Sequence, residues 1–174
     1  MSRDPLENPA LLIRRVYSYV AYRVGSGPDA EDITSEVFER ALRYRASYDE
    51  SRGEPLPWLL GIARRCVDDA RAGRLASRGP ESPEGASPED VGVQVVERIA
   101  LAEAIEALDE RTRDLIALRY GADLTARQIG RILGLKTNAV EVALHRALRR
   151  LRDELAEPGD RPRPARDPAS GVSP

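Results

Sequence analysis

The sequence predicts an all-α protein: two small helical domains joined by a flexible linker, the second ending in a helix-turn-helix. Three observations predict it. Apolar residues recur at spacings of three, four and seven along most of the chain, as helices with one buried face require. No segment alternates apolar and polar residues with the period of two that a half-buried strand needs. And "LASRGPESPEGASPEDVG", Leu75 to Gly92, is rich in Pro, Gly, Ser and Glu and almost devoid of large apolar residues. Such a stretch cannot bury enough surface to offset its ordering entropy, so it reads as a linker. The expected organisation is a domain over 8–74, the linker over 75–92, a second domain over 93–156, and a disordered tail over 157–174, where "PGDRPRPARDPASGVSP" repeats the linker's character.

The first helix is expected from about Pro9 to Val24. Asn8 is placed to cap it and Pro9 suits its first position, where the missing N–H costs nothing. Leu12, Val16, Tyr19, Val20 and Arg23 share its inner spacing. A second helix starts at Pro28, with Ile33, Val37, Phe38, Ala41 and Leu42 as its apolar stripe. "RYRASYDESRGEP" then breaks the period. A third begins near Pro57–Trp58 and carries Leu59, Ile62, Ala63, Cys66, Val67 and Ala70, which makes Cys66 a buried structural thiol. Val93 to Leu108 is amphipathic. Asp109 caps a helix over Glu110 to Tyr120, with Gly121 as its stop. Thr125 caps Ala126 to Leu133, Gly134 turns the chain, and Thr137 or Asn138 caps the last helix to about Ala156.

Composition narrows the function classes. The 174 residues hold one Cys and one His, which excludes an internal disulfide framework and leaves no set for a catalytic triad or metal centre; no cofactor is expected. No apolar run is long enough to span a bilayer, so no membrane insertion is expected. "MSRDPLENPA" has no signal-peptide core, which points to a cytoplasmic location. The net charge of -2 conceals segregation. Asp29 to Pro57 carries eight acids and four arginines, whereas Trp58 to Gly79 carries five arginines and two acids, and Asp123 to Arg152 seven bases and two acids. Charge divided in this way suits separate partner surfaces, although each block alone would also serve as a solvated helix face.

The last two helices meet the requirements of a helix-turn-helix. Ile129, Ile132 and Leu133 form the inner face of the first, Gly134 permits the turn, and Leu135 plugs the angle. Val140, Leu144, Ala147, Leu148 and Leu151 line one face of the second. Asn138, Glu141, Val142, His145, Arg146 and Arg149 line the other, which in such a unit lies in the DNA major groove. An ordinary αα-hairpin has the same pattern.

Two further motif sets set this hairpin in context. "DAEDITSEVFERAL" (Asp29 to Leu42) and "PWLLGIARRCVDDARAGR" (Pro57 to Arg74) in the first half, and Ala107 to Arg152 in the second, together resemble bacterial RNA polymerase sigma factors of the extracytoplasmic-function (ECF) group, the small type with only regions two and four. The resemblance implies a non-enzymatic initiation subunit whose partners are core RNA polymerase, promoter DNA and, as is common in the family, an anti-sigma protein. It implies polymerase docking through the acidic second helix, with Asp32, Glu36 and Phe38 as contacts. An acidic helix is badly placed against DNA but suits a basic protein partner. It also implies that region two opens the minus-ten element and holds one strand. That task needs aromatic faces for unpaired bases and cations for phosphates, here Tyr48 and Arg64, Arg65, Arg71 and Arg74; Trp58 is read as structural. Region four is implied to read the minus-thirty-five element through Thr137, Asn138, Glu141, Val142 and His145, with Arg127, Lys136, Arg146 and Arg149 on the backbone. Family members commonly have Lys or Arg where this chain has Glu141 and a base where it has Ala143. A carboxylate there can accept from cytosine N4. The competing function is a stand-alone regulator that uses its first half to sense or dimerise and binds a palindrome without polymerase.

Overall fold

A computed structural model describes residues 4–77 and 93–156, with side chains over 4–73 and 100–156. The linker expected at 75–92 therefore lies outside the described residues, apart from 75–77, and so does the tail at 157–174. Among the described residues there are helices and turns but no strand, as the missing period of two requires. In chain order the elements are α1 (Pro9–Val24), α2 (Pro28–Arg43), α3 (Pro55–Ser77), α4 (Val93–Glu106), α5 (Glu110–Ile116), α6 (Ala126–Leu133) and α7 (Thr137–Leu155). Two single 3₁₀ turns join α2 to α3, and a π-helical turn, Ala117–Gly121, follows α5. No described helix is long and apolar enough to cross a membrane.

Helix starts follow local chemistry. Proline opens α1 and α2 within their first two positions, and the Asn8 side chain makes no capping bond. α3 begins at Pro55, two residues before the expected start, because either proline can occupy a first turn. It also runs to Ser77, into the sequence read as linker. Asp109 caps α5, accepting from the Thr112 N–H at 3.0 Å and from its hydroxyl at 2.7 Å; these bonds hold its carboxyl below the usual range. α7 starts at Thr137 itself with Lys136 as the flanking residue and no side-chain cap, so neither Thr137 nor Asn138 fills the expected capping role.

α1, α2 and α3 pack into one group around Val16, Val20, Ile33, Val37, Leu59, Leu60 and Val67. α4 to α7 form the second group around Leu115, Leu118, Leu124, Ile129 and Val140. The buried residues of both groups join in a single core cluster, because α1 lies against α5 and the π turn. Tyr19 is fully buried at that seam. Two stripe positions fall outside the core: Leu42 is 56% and Leu148 39% exposed. Cys66 is fully buried, and burial pushes its thiol up to about 11. Only the thiolate attacks disulfide reagents. At pH 8 the folded protein is therefore expected to react with such a reagent at least tenfold more slowly than the same protein in denaturant. Equal rates would place Cys66 at the surface.

Candidate nucleic-acid interface

The helix-turn-helix is built by α6, its turn and α7. Thr125 and Gln128 cap α6 reciprocally: the Gln128 N–H donates to Thr125 Oγ1 at 3.3 Å, and the Thr125 N–H to Gln128 Oε1 at 2.9 Å. Gly134 ends α6 with φ +67°, a left-handed conformation that side chains resist. The Leu135 N–H then donates to the Gly130 carbonyl at 2.8 Å, closing the turn tightly against the middle of α6. A Cβ on Gly130 would stand 2.6 Å from the Leu135 carbonyl oxygen. Gly130 thus sets how near α7 comes to α6, a role the sequence reading missed.

Val140, Leu144, Ala147 and Leu151 hold α7 to the core. Thr137, Asn138, Glu141, Val142, His145, Arg146 and Arg149 all face solvent, as do Lys136 ahead of the helix and Arg127 on α6. The nine expected residues therefore share one exposed surface on the helix-turn-helix. Among the described residues no ion pair joins Glu141 to His145 or Arg146.

The residues expected from the sequence to hold a single strand begin where α2 passes to α3. The Tyr48 and Trp58 rings sit 5.6 Å apart at 58°, and the Tyr48 hydroxyl donates to the Gly53 carbonyl at 2.8 Å. Asp49 accepts from the Ser51 hydroxyl and N–H, bonds that keep its carboxyl below the usual range and stiffen the loop. Tyr48, Trp58 and Arg52 line a cleft of about 470 Å³ whose opposite wall is Gln128, Arg131 and Ile132 of α6.

Along α3 the arginines separate. Arg65 is exposed; Arg74 lies on the helix, but its side chain is outside the described residues. Arg64 and Arg71 turn toward the second group. Arg64 Nε donates to Asp114 Oδ2 at 2.9 Å, and Arg71 pairs with Glu110. Asp114 also accepts from Arg23 Nη1 at 2.6 Å and from the Tyr19 hydroxyl at 2.7 Å, while Arg23 reaches Glu110 as well. Arg23 and Asp114 are 4% and 5% exposed. Burial raises the Tyr19 hydroxyl pKa well above its usual value, and the Asp114 charge adds to it. Burial opposes the Arg23 charge, yet the Asp114 and Glu110 carboxylates outweigh it and hold the guanidinium protonated. Farther along the seam, Arg15 donates to the carbonyls of Ala122 and Asp123, at 2.9 Å from Nε to the first and 2.9 Å from Nη2 to the second. Sequence reasoning missed this network. Its one signal was a charged residue, Arg23, on an apolar stripe.

The acidic helix α2 exposes Asp32. Glu36 is half-buried and accepts from Arg40 at 2.6 Å, and Arg40 also reaches Asp69 on α3 at 2.9 Å. Phe38 is half-buried and packs against the core, so only part of its ring is open to a partner.

Family models describe two parts of the chain. Residues 11–74 match Sigma-70 region 2, and residues 98–151 match Sigma-70, region 4. The ECF RNA polymerase sigma factor SigD of Mycobacterium tuberculosis is 36% identical over 157 residues, covering 83% of this chain and 74% of that protein. The ECF RNA polymerase sigma factor BldN of Streptomyces coelicolor is 32% identical over 143 residues, covering 78% of this chain; the alignment spans about half, 54%, of BldN. The structure of RpoE from Bartonella quintana, solved in complex with the anti-sigma factor NepR, shares the fold with a TM-score of 0.65 at 18% identity, over 84% of this chain and 92% of that one.

Proposed function

The chain belongs to the ECF group of RNA polymerase sigma factors, and from that membership we propose that it binds core polymerase and directs promoter-specific initiation by dividing recognition between its two helical groups. The 93–156 half reads the minus-thirty-five element through α7. The 8–74 half docks on polymerase through Asp32, Glu36 and the open part of Phe38, and it holds the melted minus-ten strand on Tyr48 and the arginines of α3. The 75–92 segment links them. The polymerase supplies the chemistry, and this chain supplies the address. One observation carries the reading: α7 stands on a capped, tightly closed helix-turn-helix with its whole polar face outward. An anti-sigma protein, of the kind bound to the Bartonella relative, belongs among the partners. Reconstitution with core polymerase tests the proposal. Promoter-dependent run-off transcripts are expected from the mixture and from neither component alone. Tight binding to a palindromic duplex without polymerase would instead favour a stand-alone regulator.

Glu141 is the residue through which this recognition departs from a generic one. It stands one turn into α7, exposed, with no ion pair to His145 or Arg146. A carboxylate at that place repels phosphate but accepts from cytosine N4. Glu141 and His145 therefore select bases, and Arg127, Lys136, Arg146 and Arg149 hold the backbone. With Glu141→Lys, sites selected from random duplexes by the holoenzyme are expected to change at one or two positions of the minus-thirty-five element. The salt dependence of binding is expected to steepen by about one unit of slope. An unchanged consensus with a steeper slope would leave Glu141 as a mere reducer of affinity.

A further inference from the structure

We propose that Arg23, Arg64 and Arg71 form a binding cleft for the backbone phosphates of single-stranded DNA, and that the Asp114 and Glu110 carboxylates occupy this cleft when the two helical groups are closed on each other. The proposal rests on the strand-holding reading of α3 and deepens it by adding Arg23 and an internal competitor. Three guanidinia converge on two carboxylates. Arginine's planar fork pairs with carboxylate and phosphate in the same geometry, so an anion of either kind fits where these oxygens now sit. Glu110 and Asp114 are four residues apart on α5, one helical turn, so a single helix face delivers both.

The donors are not saturated. Arg23 Nε is buried and without a hydrogen-bond partner among the described residues, and Asp68, the acid of its own helical group, comes no nearer than 3.7 Å, at Arg23 Nη2. The cleft thus depends on the other half for its close anions. The charged part of the seam adds little net stability to closure, because burying ion pairs costs desolvation that roughly offsets their attraction. The rest of the seam is held by the buried contact of α1 with α5 and the π turn, by the Arg15 clamp on two carbonyls, and by the fit of Gly121, where a Cβ would stand 2.9 Å from Tyr19 Cα. The same closure places α6 across the Tyr48–Trp58 cleft. A melted strand and the second helical group therefore compete for one surface.

The full chain tests this with a fluorescent twenty-residue oligothymidylate and a dye pair on cysteines introduced at Arg43 and Asp153, both exposed; the buried Cys66 stays unlabelled. Asp114→Asn removes the competing charge, and Gly121→Ala wedges the seam without touching any of the three arginines. Both variants are expected to show lower energy transfer and at least tenfold tighter oligonucleotide binding at native helicity, and the oligonucleotide is expected to lower transfer in the parent chain. Lower transfer with unchanged affinity would overturn the competition, and unchanged transfer in both variants would overturn the closed state as a switch. Should Asp114→Asn fail to fold, Gly121→Ala alone decides by the same outcomes. Adding Arg64→Ala and Arg71→Ala to the opened chain separates the two readings. If binding to the opened chain ignores these arginines, the strand-holding reading itself fails. If binding needs them yet does not rise on opening, only the competition fails.

Discussion

Gly130→Ala is expected to destabilise the second helical group by about 1–3 kcal/mol, the usual range for forcing an extra carbon into a close-packed place, and to lower promoter-directed transcription at least tenfold. In an open helix the sign would be opposite, since alanine is favoured over glycine by up to about 1 kcal/mol. Here the new Cβ would meet the Leu135 carbonyl oxygen at 2.6 Å, and that oxygen belongs to backbone fixed by the Leu135 N–H bond to Gly130. Relief requires the turn to move, and α7 moves with it. Residues that read bases tolerate little displacement, because each mismatched position costs about 1–3 kcal/mol. Gly61→Ala is the internal control. Gly61 lies in α3 with nothing within 4 Å of its would-be Cβ, so it should stabilise the protein slightly and leave transcription intact. Urea denaturation of both variants checks the pair; a stabilising Gly130→Ala would remove the argument for a tight turn.

Replacing Arg64 and Arg71 together by alanine is expected to abolish promoter opening while sparing engagement of the minus-thirty-five duplex. A hydrogen bond to a charged group is worth about 1.5–3 kcal/mol, so losing two should reduce the open complex at least a hundredfold. The salt dependence of single-strand binding should become shallower by about 0.7 unit per lost contact. Permanganate reactivity of unpaired thymines in the holoenzyme complex measures the first effect directly. The free chain will behave differently, because the same substitutions also take one partner each from Asp114 and Glu110 and leave Arg23 to hold both. Opening of thymines undiminished by the double substitution would move strand capture to other residues, Arg65 first.

How much was legible follows from how local each feature is. α1 and α6 have the bounds the sequence predicts, because proline or a Thr–Gln box opens them and glycine closes them. α3 was misplaced by two residues because Pro55 and Pro57 both satisfy a first turn. α5 was read as one helix to Tyr120, but its last turn widens into a π turn that lets Gly121 reach α1, a tertiary demand with no local trace. The polar face of α7 was read correctly from periodicity alone. The Tyr19–Arg23–Asp114 network was not, since its partners lie 91 and 95 positions apart and periodicity reports a buried face but never what covers it. For the same reason Arg64 and Arg71 were read as strand contacts with no sign of the anions they hold in the closed chain.

Trp58 is the sole tryptophan of the chain. It stands on the wall of the cleft that α6 closes, beside Tyr48 and across from Arg131 and Ile132. The protein consequently carries its own optical gauge. Its emission colour follows the wetness of one indole, and that indole sits where the two helical groups meet the loop. Separation of the groups should shift the emission to longer wavelength, whereas a base stacked on the ring should quench it. One unlabelled fluorescence trace, recorded as an oligonucleotide is added, can therefore time the opening of this chain and the arrival of DNA as two different signals.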